Sequence, residues 1–234
     1  MNIIITGASR GVGYETAKLL SAEHKVIAIA RSADKLQQLK KNGNSKNIYP
    51  IAFDLETGNI KKDLPSQIKK YFDEIDVLIN NAATLLNKPF EKISRQEFEK
   101  VFRVNFFSVV ELTQAILPLM KKGHVLNIAS MGGIQGSAKF SGLSAYSSSK
   151  GALITLTECL AEEYLPDRQA GKRKNVSFNA IAFGSVQTEM LAEAFPKFKA
   201  PVSAKQAAEF VSYVAINGHN YFNGKILQMA LGTP

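Results

Sequence analysis

Short, nearly continuous apolar runs alternate along the chain with longer segments whose apolar residues recur at helical spacing. The runs fall at residues 2–5, 26–30, 48–53, 77–79, 125–129, 176–182 and 225–229, and each predicts a β-strand. Between them, segments such as 12–22, 33–41, 95–120 and 145–164 carry the repeat of helices packed on one face. Strands that are apolar on both faces predict a sheet covered on both sides, as crossover helices cover a parallel sheet. The expected fold class is therefore α/β, a doubly wound parallel sheet of about seven strands with helices on both faces. Right-handed crossovers join the early βαβ units into one continuous sheet. No linker, repeat or low-complexity stretch interrupts it, so residues 1–234 are expected to form a single domain.

Two segments depart from this rhythm. Residues 166–174 are polar and basic after a helix-breaking proline, and residues 195–201 set prolines among aromatics and lysines; both read as surface loops. With 45% hydrophobic and 21% charged residues the chain can bury a core, which excludes a disordered tail, a collagen or a coiled coil. Lys and Arg total 29 against 20 Asp and Glu, a net charge of +9. Nucleic acid, an anionic membrane, an acidic partner, a phosphorylated ligand and a merely solvated surface all fit that sign. No nucleic-acid motif or aromatic-basic interleaving accompanies the charge, and no nucleic-acid partner is expected.

Cys159 is the only cysteine, which excludes an internal disulfide, a zinc finger and a Cys-x-x-Cys pair, and it is expected to pack in a core or subunit interface. His24, His124 and His219 lack metal-ligand spacing, so they read as surface or loop residues and no metal is expected. The first apolar run is too short for a secretory signal, and no stretch approaches the roughly 18 apolar residues of a membrane span. A soluble cytoplasmic protein is expected.

The first strand runs into Gly7, Ser9, Arg10, Gly11, Val12 and Gly13, where a helix begins. A strand, a glycine turn and a helix N-terminus in this order present backbone N–H groups and the positive end of a helix dipole to a pyrophosphate, in the Rossmann manner. An acidic residue at the end of the second strand holds the free ribose hydroxyl of NAD. Here that position reads Ala30, Arg31 and Ser32, with no carboxylate, whereas Arg31 and Arg10 suit a ribose phosphate. NADP(H) is expected over NAD(H).

Tyr146 and Lys150 stand four apart at the start of a helical segment and share one face. Lowering a phenol from about 10 to about 7 takes about 4 kcal/mol of preferential phenolate stabilisation. A neighbouring ammonium and the positive ring of an oxidised nicotinamide would supply it. Such spacing arises readily by chance in a chain with seven tyrosines; its meaning comes from company. Asn80 to Ala83 follow the fourth strand, Asn105 lies in a long helical segment, Ser130 ends the fifth strand and residues 179–188 end the sixth. Ligands bind at the carboxyl ends of parallel strands.

On Thr6, Gly7, Gly11, Gly13, Asp54, Asn80, Asn81, Ala82, Asn105, Ser130, Tyr146, Lys150, Asn179, Gly184 and Thr188, the chain resembles the short-chain dehydrogenase/reductase family over nearly its full length. The resemblance implies a catalytic tetrad of Asn105, Ser130, Tyr146 and Lys150. Tyr146 would exchange a proton with the substrate oxygen and Ser130 would orient that oxygen. Lys150 would hold the nicotinamide ribose and lower the Tyr146 pKa, and Asn105 would position a relay water. It further implies Asp54 and Leu55 at the adenine, Asn81 and Ala82, with Ala83 next to them, at the adenosine ribose, Val186 and Thr188 at the nicotinamide amide and phosphates, and Gly184 at the nicotinamide pocket. Arg10 and Arg31 match the NADP-preferring subgroup. The implied reaction is reversible hydride transfer between NADP(H) and a ketone, an aldehyde or an alcohol.

Departures from the family pattern are Ala83 in place of glycine, Phe183-Gly184 in place of Pro-Gly, a long connection from Ser130 to Tyr146 containing Ser141 and Ser144, and a short segment after Thr188. The cleft is then open, or closed by the loop around residues 137–144. Acyl-carrier ketones, xenobiotic carbonyls, sugars and pteridines all remain open as substrates. A basic dock for an anionic or carrier-linked substrate would use Lys172, Arg173, Lys174, Lys197 and Lys199. The rival reading is a non-catalytic NADP(H)-binding redox sensor. A homodimer or homotetramer through segments 95–120 and 145–164 is expected by resemblance.

Overall fold

The computed structural model describes residues 1–165 and 175–231, so the basic loop with Lys172, Arg173 and Lys174 lies outside the described residues. The seven expected strands are β1 (Asn2–Thr6), β2 (Lys25–Ala30), β3 (Ile48–Ala52), β4 (Val77–Asn80), β5 (Lys122–Ser130), β6 (Asn175–Phe183) and β9 (Ile226–Met229). They form one parallel sheet in the order β3-β2-β1-β4-β5-β6-β9. The order reverses between β1 and β4, which opens a crevice at the carboxyl ends of these strands.

Alternation of side chains explains why the strands read as continuous apolar runs. Ile3 and Ile5 enter one core layer with Val26 and Ala28, while Ile4 enters the opposite layer with Ile27 and Ile29. The first layer is closed by α1 (Gly11–Leu20), α2 (Ala33–Asn42) and α8 (Ala204–Asn217), with α1 packed on α8. The second is closed by α3 (Ile60–Lys69), α5 (Ser108–Ile116) and α6 (Ser144–Glu163). Between Phe183 and α8 lie the two-residue strands β7 (Val186–Gln187) and β8 (Val202–Ser203) and the short helix α7 (Glu189–Ala194). Residues 195–201 form the expected loop between α7 and β8.

Segment 95–120 is not one helix. Ser94 and Glu97 form a capping box that starts α4 (Arg95–Phe102), a π-helical turn follows at Arg103–Phe107, and α5 ends in a 3-10 turn at Leu117–Leu119 that contains Pro118. One wide turn barely disturbs the apolar spacing, which is why periodicity alone does not see it.

One expectation on a single residue is narrowed and another fails. Cys159 is exposed on α6, so of its two expected settings the core is excluded and a subunit interface stays open. His124 is neither a surface nor a loop residue: it is 0% exposed within β5, where its strand position is set by backbone pairing with Ser177. Its ring lies 5.9 Å from that of His219, a pairing that the sequence separation of the two residues hides. Nδ1 lies 3.1 Å from the Ala215 carbonyl and Nε2 3.0 Å from the Asn179 side-chain amide, an arrangement that suits the neutral ring protonated at Nδ1. Burial holds this imidazole down to about 4, and the neighbouring His219 acts in the same direction.

Because the folded value lies below the unfolded one, the unfolded chain takes up a proton first as pH falls from about 6.5 toward about 4. His124 therefore contributes stability that is present above about 6.5 and lost through that window, on the order of 3 kcal/mol. Denaturant unfolding at pH 7 and pH 4.5 should show this loss, and H124Q should show less of it. An unchanged pH dependence in H124Q would remove His124 as the cause.

Candidate functional site

A cleft of about 650 Å³ lies at the carboxyl ends of β1, β4, β5 and β6. Its floor begins where β1 ends. Gly7 and Gly11 turn the chain with φ of +69° and +60°, a conformation that L side chains rarely adopt. Gly13 lies behind the turn: a Cβ there would sit 2.5 Å from the Gly7 carbonyl oxygen and collide with the Asn81 amide. The Thr6 hydroxyl accepts hydrogen bonds from the N–H groups of Asn81 and Ala82, both at 3.0 Å, and the Asn81 amide donates to the Thr6 carbonyl at 2.9 Å. The glycine turn and the loop after β4 are thus one unit.

Arg10 provides no side-chain cap for α1, and the first turn of that helix carries no acid, so its terminal N–H groups are left for an outside acceptor. Gly7, Ser9, Arg10, Gly11 and Val12 line the cleft, as do Arg31, Asp54, Leu55, Asn81, Ala82, Ala83, Gly184, Val186 and Thr188. Ser32 does not line it: its hydroxyl caps α2 by accepting from the Lys35 N–H at 3.4 Å. Arg31 is exposed and has no ion-pair partner among the described residues. Arg10 pairs with Glu193 of α7 at 2.5 and 3.4 Å, which raises the guanidinium and holds the carboxyl below its usual range. The uncapped helix start, the crowded glycines and the free Arg31 fit a phosphorylated dinucleotide.

The other end of the cleft is built where α6 meets β5. A Cβ on Gly133 would stand 2.7 Å from the backbone of Lys150 and Gly151, so the bare backbone of Gly133 lets the helix settle on the end of the strand. This brings Ser130, Tyr146 and Lys150 to one wall. Lys150 is 2% exposed, and its Nζ donates to the Ile128 carbonyl at 2.7 Å and lies 5.9 Å from the Tyr146 ring centre. Burial lowers the ammonium to about 8. Burial also raises the Tyr146 phenol, against a smaller opposing effect of its hydrogen bond to Ser130. The expected lowering of the phenol does not arise from these side chains alone.

Asn105 is buried in the π-helical turn and does not line the cleft. Its Oδ1 accepts from Thr84 N–H at 2.8 Å, and its Nδ2 donates to the Thr84 carbonyl and the Ser149 hydroxyl, both at 3.0 Å. Asn179 also departs from expectation. It sits in the middle of β6, where its Oδ1 accepts from Lys225 N–H and its amide donates to the Phe222 carbonyl. Neither Ser141 nor Ser144 lines the cleft, leaving Ser130 as the strand-end serine beside Tyr146.

The cleft is roofed, but not by residues 137–144. Helix α7, capped by Thr188, covers it, and the Asn87 amide donates to the Ala194 carbonyl at 2.9 Å. Lys88 N–H in turn donates to the Gly142 carbonyl at 2.9 Å, so the long connection serves as a buttress. Sequence reasoning missed Thr84, Leu85, Leu86, Asn87, Met190, Leu191 and Glu193, all on the cleft wall. Their place after β4 and β6 was the available signal; their residue types carry none. Among the described residues no group of three or more His, Cys, Asp or Glu is placed to hold a metal, and no helix is long and apolar enough to cross a membrane.

The glycine contact at β5 yields a direct test. G133A should move α6 outward and cost about 1–3 kcal/mol of stability by overpacking. It should lower turnover more than cofactor affinity, because Gly133 does not line the cleft. Thermal unfolding, cofactor titration and steady-state rates on the same variant check all three.

A parallel sheet with a glycine turn at one end of its crevice and a Ser-Tyr-Lys wall at the other defines a dinucleotide-dependent oxidoreductase of the Rossmann type. The family model for short chain dehydrogenases matches residues 1–199, and the chain belongs to that family. It is 32% identical over 224 residues to the fatty acyl-CoA reductase of Acinetobacter baylyi, covering 91% of this chain and 72% of the relative. It is 29% identical to the 3-oxoacyl-(acyl-carrier-protein) reductase FabG of Aquifex aeolicus, covering 97% and 94%. Two solved short chain dehydrogenases, from Shigella flexneri in complex with NADP and from Escherichia coli in complex with NADPH, each superpose with a TM-score of 0.85 at 26% identity, covering 97% of this chain and 95% of theirs. The chain is thus an oxidoreductase of carbonyl or alcohol groups.

Proposed function

We propose that the protein is an NADP(H)-dependent reductase that converts a ketone or aldehyde to an alcohol, with the reverse reaction open to it. The observation that carries this reading is the convergence of Ser130, Tyr146 and Lys150 on one wall of a cleft whose far end holds the glycine turn and Arg31. Arg31, exposed and without a carboxylate partner among the described residues, suits a ribose phosphate, and Arg10 joins it by exchanging Glu193 for the phosphate. The similar proteins from Shigella flexneri and Escherichia coli that hold NADP and NADPH support the same choice.

A reduced nicotinamide held by the glycine turn, Arg31 and Lys150 would supply the hydride. The protein supplies the proton and the geometry. Burial favours the protonated form of Tyr146, the form that can deliver a proton to a carbonyl oxygen. The Ser130 hydroxyl orients that oxygen. Lys150, anchored on the Ile128 carbonyl, places its positive charge under the phenol and favours its ionised form after proton transfer. Asn105 acts as a positioning residue: with both ends of its amide engaged, it fixes the Thr84 loop against α6. We also propose a homodimer or homotetramer through α4, α5 and α6, where Phe107 leaves 49% of its surface exposed.

Tyr146→Phe should lower kcat by at least about 100-fold while leaving the Kd for NADPH nearly unchanged. Normal turnover in that variant would overturn the assignment. Arg31→Ala should raise the KM for NADPH by about tenfold or more and leave that for NADH unaffected, since a charge-assisted bond to phosphate is worth about 1.5–3 kcal/mol. Equal efficiency of the unaltered protein with NADH would contradict the cofactor choice.

A further inference from the structure

The geometry points to a substrate with one carbonyl on an uncharged apolar body, an alkyl or aryl ketone or aldehyde; this inference rests on the carbonyl-reducing reading above. Three observations carry it: the walls, the polar groups and the charges at the reacting end of the cleft.

The location of that end follows from the hydrogen bonds. Thr84 is tied through Asn105 to Ser149, on the helix that carries Tyr146, and Lys88 is tied to Gly142, just before that helix. Phe183 pairs in register with Ser130, and α7 follows from the same strand end. The residues between these anchors, Leu85 and Leu86 on one side and Met190 and Leu191 on the other, therefore surround the space in front of Ser130 and Tyr146, with Phe183 beside them. Leu85, Leu86, Met190 and Leu191 remain partly open to the cleft, and a ligand's methylenes buried against them leave water favourably.

Several polar groups at this end are already engaged. Both backbone groups of Thr84 are bonded to Asn105, the Asn87 amide is bonded to Ala194, and the Thr188 hydroxyl caps α7 through Leu191 N–H. The hydroxyls of Ser130 and Tyr146 can serve one oxygen atom, and the Thr84 hydroxyl is one further side-chain partner on this wall. A substrate rich in polar groups would lose more bonds to water than these few partners return. That argues against sugars and pteridines, whose hydroxyls or ring nitrogens each need a partner.

Charge discriminates in the same direction. Lys88 is held by Glu97 at 2.8 Å and Arg10 by Glu193, and Glu189 lies beside Gly11 at the foot of α7. Lys150 is buried against the Ile128 carbonyl. Of the other cations that line the cleft, Lys100 is paired with Glu56 and Arg31 stands at the glycine-turn end, while Lys197 and Lys199 follow α7 without lining it. Among the described residues, then, no unpaired cation on the wall receives a carboxylate or phosphate at the reacting end.

The test compares 2-octanone, 7-oxooctanoate and fructose under saturating NADPH. The first two share a methyl ketone and a chain length and differ by the terminal carboxylate; fructose presents a ketone among hydroxyls. The kcat/KM for 2-octanone should exceed each of the others by at least about tenfold. Leu86→Lys should narrow the gap between 2-octanone and 7-oxooctanoate by about tenfold while the Kd for NADPH, read by fluorescence titration, stays the same. Turnover of 7-oxooctanoate or fructose as efficient as that of 2-octanone overturns the inference and leaves carbonyl reduction standing. NADPH binding with no turnover of any of the three overturns both.

Discussion

The seating of α6 on the end of β5 is the contact on which the site depends. Tyr146 and Lys150 belong to the helix and Ser130 to the strand, so their meeting requires two backbones to approach more closely than side chains usually permit. Gly133 removes the obstacle, and the bond from the Lys150 ammonium to the Ile128 carbonyl holds the result in place. A buried lysine would otherwise pay a heavy desolvation penalty. Here it is partly offset by a carbonyl that the sheet itself presents.

Beneath this contact runs a buried polar seam. The Asn80 side-chain amide donates to Asn127 Oδ1 at 2.9 Å and Asn127 Nδ2 donates to the Thr157 hydroxyl at 2.9 Å, linking β4, β5 and α6 in one row. Asn80 and Asn127 are directly opposite in the strand register. A one-residue slip of β4 against β5 would strand both amides in an apolar core, so the row fixes register as well as helix height. The loop after β4, with its share of the cleft wall, inherits that precision.

The sheet was legible because both of its faces are buried: each strand announced itself as an apolar run, and the order of runs and helices admitted few topologies. The glycine turn and the Ser130, Tyr146 and Lys150 wall were legible because their chemistry restricts residue type. What was not legible depends on contacts between distant segments. The π-helical turn that buries Asn105 leaves the apolar spacing of residues 95–120 almost intact. Leu85, Leu86, Met190 and Leu191 look like any core residues until the fold turns them toward a cleft. His124 and His219 meet only because β5 lies under the turn after α8.

The roof over the cleft joins three segments by unlike links. Asn87 holds the end of α7 through a neutral amide bond, whereas Arg10 holds it through an exposed ion pair. Dissolved salt distinguishes the two: screening shortens from about 10 Å at 0.1 M to about 3 Å at 1 M, weakening the ion pair and sparing the amide bond. Ionic strength thereby becomes a lever on the roof at the glycine-turn side alone, loosening the cofactor's doorway while the substrate's stays tied.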